Sequence, residues 1–130
     1  MIADTSVLVA LALAEEGSES LAAALRSSRR AAISAPTLVE SRVVVEGRLG
    51  EEGRRLLDAV LASGAIAVDP FTVSHVEAAA SAFRRFGAGR HAARLNFADC
   101  IAYAAASLAR EPLLTLDERF ALTDVELVRY

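Results

Sequence analysis

Met1-Ile2-Ala3-Asp4-Thr5-Ser6 is the stretch that decides the architecture. An apolar pair running into an aspartate is the pattern of a short buried strand whose tip carries an acid, and Thr5 or Ser6 is placed to cap a helix behind it. Val7 to Ala14 reads as that helix. It is too short to span a bilayer, lacks a basic leader and closes on Glu15-Glu16, so neither a secretory signal nor a membrane anchor is expected. Ser18 to Ser27 is a second helix, split from the first by Gly17. Ala31 to Ser34 is a strand feeding a helix with Pro36 in its first turn, running to about Arg48. Gly50 to Ser63 forms a helix stopped by Gly64. Ala65 to Val68 is a third strand broken by Asp69-Pro70, and Thr72 caps a helix reaching Phe86. Gly87 to Arg94 is a basic loop, Asn96 to Arg110 an alanine-rich helix ending before Pro112, and Leu113 to Leu116 a fourth strand. Glu118 to Ala121 makes a helical turn and Val125 to Val128 a last strand. Leu38, Val39, Val43 and Leu49 are expected to face the core, as are Val76, Ala79, Ala80 and Phe83. Strands alternating with helices predict an α/β sandwich around a parallel sheet of four to five strands. No repeat, linker or composition break divides residues 1–130, so a single domain is expected.

Composition narrows the chemistry. The chain has one cysteine, Cys100, which precludes an internal disulfide and a cysteine zinc cluster and suits a reducing cytoplasm. Net charge is -3 and the pI about 5.4, unlike a generic nucleic-acid coat. All fourteen basic side chains are Arg. Without a Lys, a P-loop NTPase, a phospho-accepting receiver and a dehalogenase-like phosphatase are disfavoured, since each places a Lys at the phosphoryl group.

Four acids stand out by position: Asp4 and Asp117 directly after the first and fourth strands, and Glu40 and Asp99 about one turn inside helices that start near the same sheet edge. Ligands of open α/β sheets bind beyond the carboxyl ends of the strands. Each acid has a plainer alternative, a helix cap or an ion pair: Asp4 as the cap of the next helix, Asp99 with Arg94, Glu40 with Arg42 or Arg48, Asp117 as a cap. Together at one rim they would repel unless protonated or bound to a cation. Oxygen-only ligation suits Mg²⁺, with Mn²⁺ as a substitute, and such a site activates water for attack on a phosphodiester.

Four segments carry a resemblance: Met-Ile-Ala-Asp-Thr-Ser (1–6), Ala-Pro-Thr-Leu-Val-Glu (35–40), Phe-Gly-Ala-Gly-Arg-His-Ala-Ala-Arg-Leu-Asn-Phe-Ala-Asp-Cys-Ile-Ala-Tyr-Ala (86–104) and Glu-Pro-Leu-Leu-Thr-Leu-Asp-Glu-Arg-Phe-Ala-Leu-Thr-Asp-Val (111–125). The chain resembles PIN-domain proteins, specifically the VapC-type ribonuclease toxins of bacterial toxin–antitoxin pairs. The resemblance implies a PIN-like α/β/α sandwich and endonucleolytic cleavage of RNA. It assigns Asp4, Glu40, Asp99 and Asp117 as the catalytic, magnesium-holding quartet, Asp4 and Asp99 foremost, with Thr5, Ser6 and Asn96 orienting ligands or water. It implies as partners an RNA substrate, a VapB-type antitoxin laid over the apolar helices, and a second copy in a homodimer. Two positions depart from the pattern. Ala88 stands where relatives often carry Lys. Asp117-Glu118-Arg119-Phe120 stands where many have Gly-Asp-Asp-Phe, which leaves Asp117 or Glu118 as the fourth acid, Asp117 preferred because it directly follows the strand.

The densest basic cluster is Arg84, Arg85, Arg90, His91 and Arg94. Of these, Arg90, His91 and Arg94 are candidates for RNA phosphate contacts; a solvated helix end is the alternative. Neither His75 nor His91 has partners at transition-metal spacing, and Cys100 reads as a buried helix residue. The competing function is a catalytically silent PIN-like interaction module. A PIN-type flap nuclease acting on DNA would need helical arches for which the chain has no room.

Overall fold

The computed structural model describes residues 1–130. In chain order the elements are β1 (Ile2–Ala3), α1 (Thr5–Ala12), α2 (Ser18–Ser27), β2 (Ala31–Ser34), α3 (Ala35–Leu49), α4 (Glu51–Ser63), β3 (Ile66–Asp69), α5 (Val73–Phe86), α6 (Phe97–Ala109), β4 (Leu113–Leu114) and a 3₁₀ turn (Glu118–Leu122). The four strands are parallel in the order β3-β2-β1-β4, with Ile2 opposite both Ala32 and Leu113. β1 is therefore central, and the acid at its tip lies mid-sheet. The chain is the expected α/β sandwich with a four-stranded sheet.

Strand alternation divides the core in two. Ala3, Ile33 and Leu114 point to one face, where Val7, Leu8, Leu21, Leu25, Val45 and Leu57 of α1–α4 cover them. Ile2, Ala32 and Leu113 point to the other, under Ala82, Phe86, Leu95, Tyr103 and Phe120. The chain has no helix long and apolar enough to cross a membrane.

Several local expectations change. The cap of α1 is Asp4 itself, whose carboxylate accepts the Val7 N–H, rather than Thr5 or Ser6. The expected last strand is reduced to one parallel bridge, Leu113 to Leu127, because β4 leaves the sheet at Leu114. Val39 (62% exposed), Val43 (67%) and Leu49 (45%) face outward. The buried stripe of α3 is instead Thr37, Ser41 and Val45. Likewise α5 buries Ala82 and Phe86, leaving Val76, Ala80 and Phe83 exposed and Ala79 half-buried.

α3 and α4 touch backbone to backbone at Gly53, where an added Cβ would lie 2.2 Å from the Val45 carbonyl oxygen. Neither helix can yield without unpacking Val45 and Leu57. Gly53→Ala is expected to cost about 1–3 kcal/mol in urea unfolding, the usual penalty of overpacking; a cost below about 0.5 kcal/mol would show that the helices separate freely.

Candidate active site

Asp4, Glu40, Asp99 and Asp117 line one cavity of about 350 Å³, together with Thr5, Ser6, Glu15, Arg48 and Leu116. The fold explains the meeting. β1 and β4 are adjacent and parallel, so Asp4 and the segment after Leu114 leave the sheet at the same end, while Glu40 sits in the second turn of α3 and Asp99 in the first turn of α6. Glu118 is exposed and lines no part of this cavity.

Asp4 is the most buried of the four, at 7% exposure. One oxygen accepts from Ser6 Oγ (2.6 Å) and the Val7 N–H (3.2 Å), the other from Thr115 Oγ1 (2.5 Å). Both hydroxyls are aimed. Ser6 Oγ accepts the Leu116 N–H and Thr115 Oγ1 the Asp117 N–H, so each points its own proton at Asp4. The donors favour the carboxylate, yet burial outweighs them and raises the Asp4 pKa above its ordinary 3.8. No Arg forms an ion pair with Asp4 or with Glu40, which accepts from Thr5 Oγ1.

The other two acids share one guanidinium. Arg119 donates from Nε to both oxygens of Asp117 (2.9 Å each) and from Nη2 to Asp117 and to Asp99 Oδ2 (3.0 Å for Asp99). Its hydrogen bonds hold the Asp117 carboxyl below the usual range. Asp99 also closes a capping box with Asn96: Asn96 Oδ1 accepts the Asp99 N–H at 2.9 Å, and Asp99 Oδ2 accepts the Asn96 N–H at 2.8 Å. The ion pairs expected as alternatives are not made: Arg42 takes Asp58, Arg48 takes Glu15, and Arg119 rather than Arg94 takes Asp99.

The donor set, all carboxylate oxygen around a buried carboxylate without a cationic partner, fits a hard divalent cation. The side chains as placed do not gather three acids into ligating geometry. Convergence expected from the sequence is thus met by the cavity and not by the ligand positions. Asp99 is turned toward its own helix start and Arg119, Asp117 toward Arg119, and Glu40 toward Thr5.

The sequence pattern of the PIN domain matches residues 1–126. The chain belongs to the PIN-domain family. It is 41% identical over 127 residues to ribonuclease VapC36 of Mycobacterium tuberculosis, covering 97% of this chain and 91% of that one. In fold it is similar to VapC20 of Mycobacterium tuberculosis, a sarcin-ricin loop cleaving toxin (TM-score 0.79, 21% identity, 99% and 98% of the two chains). It is also similar to a chain of VapBC2 from Rickettsia felis bound to a promoter DNA fragment (TM-score 0.72, 17% identity, 98% and 96%). Within the family the chain is of the VapC type.

Glu15 and Arg48 also line the cavity of this PIN domain, and Thr115 and Arg119 hold its acids from beside the lining. Of these the sequence singled out only Arg48, as a partner for Glu40 that the structure gives to Glu15. Thr115 had a readable signal: in Leu-Leu-Thr-Leu-Asp it is the hydroxyl two residues before the acid. The expected basic cluster is dispersed. Arg85 is tied to Asp124 (2.5 Å) and Tyr103, and Arg90 lies 5.6 Å over the Phe83 ring. His91 accepts the Ala93 N–H and meets Phe86 edge-on. Arg90, His91 and Arg94 are exposed and do not line the cavity. Only Arg94 reaches it indirectly, its carbonyl accepting from Arg119 Nη1 at 3.0 Å. Cys100 is buried, with its thiol pushed up to about 11 chiefly by that burial, which leaves no thiolate at neutral pH. His75 is spent on the capping box of α5 with Thr72.

Proposed function

We propose that the chain is a divalent-metal-dependent endoribonuclease, the toxin of a VapBC-type toxin–antitoxin pair, working in the cytoplasm. The carrying observation is that four carboxylates from four elements line one cavity, with the buried Asp4 lacking any cation. Asp4 and Asp99 would be the principal ligands of Mg²⁺, or of Mn²⁺ in its place, with Glu40 and Asp117 completing the acidic wall. Bound there, the metal would lower the pKa of water and offset charge developing on the phosphate.

The chain's own residues do the positioning. Ser6 and Thr115 fix both oxygens of Asp4, Thr5 turns Glu40, and Asn96 sets Asp99 through the cap of α6. Arg90, His91 and Arg94 are assigned to RNA phosphates along the approach, supplying affinity rather than chemistry. The antitoxin and a homodimer partner are assigned to the outward apolar side chains. These include Val39 and Phe97 (82% exposed), which share a groove with Pro36, Phe71 and Ile101.

The second reading, a catalytically silent module, draws on Arg119, which already neutralises part of the acid wall. Incubating the protein with total bacterial RNA and mapping new 5′ ends separates the two. Discrete cuts in Mg²⁺ that vanish in EDTA are expected. Cuts of equal yield in EDTA would overturn metal dependence, and no cuts in either Mg²⁺ or Mn²⁺ would favour the silent module.

A further inference from the structure

The chain has fourteen arginines. Arg48 lines the acid cavity but is paired with Glu15, whereas Arg119, beside the lining, is the one that binds two of the four acids. Arg119 spends Nε and Nη2 on Asp117, shares Nη2 with Asp99, and rests Nη1 on the Arg94 carbonyl. This is a fork laid across two carboxylates that belong to different elements, α6 and the turn after β4. We propose that Arg119 is the built-in counter-cation of the cavity, a positioning residue that holds Asp99 and Asp117 together and competes with the divalent cation for them. The inference rests on the metal-site reading above and adds to it what sets the affinity.

Three observations carry it. The first is charge. Asp99 and Asp117 are only 14% and 22% exposed, and side by side they would repel without the guanidinium between them. The second is orientation. Asp99 Oδ2 is occupied by Arg119 and by the Asn96 N–H, and both oxygens of Asp117 are occupied by Arg119, which accounts for the lack of a ready three-acid arrangement. The third is reversibility. The Arg119 side chain is 40% exposed, while its neighbour Phe120 is fully buried and fixes the backbone. The guanidinium can therefore swing to solvent by side-chain rotation, without unpacking the core.

A residue that merely supported the fold would weaken metal binding when removed; a competing cation strengthens it. Mn²⁺ binding is measured by titration calorimetry on the parent, Arg119→Gln, Arg119→Lys and Asp4→Asn, alongside thermal unfolding in EDTA and in Mn²⁺. Arg119→Gln is expected to bind Mn²⁺ about tenfold more tightly, the scale of removing one unit charge a few ångströms away in a partly screened site. Arg119→Lys, which keeps the charge and loses the fork, is expected to stay within about threefold of the parent. In EDTA the Gln variant should melt below the parent, and its gain on adding Mn²⁺ should be larger. If Arg119→Gln binds Mn²⁺ no more tightly than the parent while Asp4→Asn abolishes binding, the role of Arg119 is overturned and the metal site stands. Binding by the Gln variant alone supports the proposal in its strongest form. Absence of Mn²⁺ binding to both the parent and the Gln variant overturns the metal reading, and this inference with it.

Discussion

Asp4→Asn is expected to reduce RNA cleavage by about 10³-fold or more, while the metal-free protein melts at the parent's temperature or above it. Asparagine keeps the shape of the side chain and one acceptor oxygen, so Ser6 and the Val7 N–H retain a partner. Its amide can donate to Thr115 Oγ1, which would turn its own proton elsewhere. What disappears is the charge. In the native state burial raises the Asp4 pKa above 3.8, so the folded protein holds this proton more tightly than the unfolded chain does. As pH rises from 3.8 through the native value, the unfolded chain ionises first and stability falls; at neutral pH the buried carboxylate is a cost. The difference in melting temperature between variant and parent, followed in EDTA, should therefore move in the variant's favour as pH rises through that window. Divalent cations should stabilise the parent and not the variant. Cleavage by the variant within tenfold of the parent would mean that the acid cavity is not the reaction centre.

Much of this was legible because it rests on local grammar. The strand tip at Asp4, the helix start at Asn96, and the glycine and proline stops fix where elements begin and end, although β4 stops at Leu114 and leaves two residues before Asp117. Short connections then bring the tips to one edge. What sequence could not settle was the outcome of side-chain competition. Three of the four acids turn out to cap as well as line the cavity: Asp4 on α1, Asp99 in the α6 box, and Asp117 on the 3₁₀ turn. For Asp4 and Asp117 the cap and site readings had looked like alternatives, and one carboxylate has lone pairs enough for both.

The face of α3 failed for a different reason. Hydrophobicity points to Val39 and Val43, but the helix buries Thr37 and Ser41, whose hydroxyls are satisfied locally: Thr37 Oγ1 with Ser34 Oγ at 2.8 Å, and Ser41 Oγ on the Thr37 carbonyl at 2.8 Å. Small, self-satisfied hydroxyls lose little on burial and let α3 approach closely. The valines are thereby left outside, where a monomer gains nothing from them. Arg119 was invisible for want of any local rule, since its two acids come together only in three dimensions.

Phe120→Ala is expected to be the most damaging substitution to stability, at about 3–5 kcal/mol, the range for removing a fully buried aromatic ring. Phe120 is 0% exposed, in the cluster that holds Phe86, Leu95, Tyr103 and Leu113. It follows Arg119 directly, and its N–H donates to the Asp117 carbonyl at 3.3 Å. The other ties of this short turn are polar: Asp117 caps it and rests its N–H on Thr115, and Arg119 reaches Asp99 and the Arg94 carbonyl. The Thr123 N–H and hydroxyl return to the Phe120 carbonyl at 3.0 and 2.7 Å, so the turn hangs on the residue whose ring is in the core. Emptying that space should lower the urea midpoint sharply and let the turn drift, misplacing Asp117 and Arg119 together. A domain of this size has only about 5–15 kcal/mol to lose, so the variant should be close to unfolding at 37 °C. Phe120→Leu, which fills most of the volume, should cost no more than about 1.5 kcal/mol and keep metal binding near that of the parent. If the alanine variant unfolds within about 1 kcal/mol of the parent, the ring does not anchor the turn, and the position of Asp117 must be secured by Arg119 and Thr115 alone.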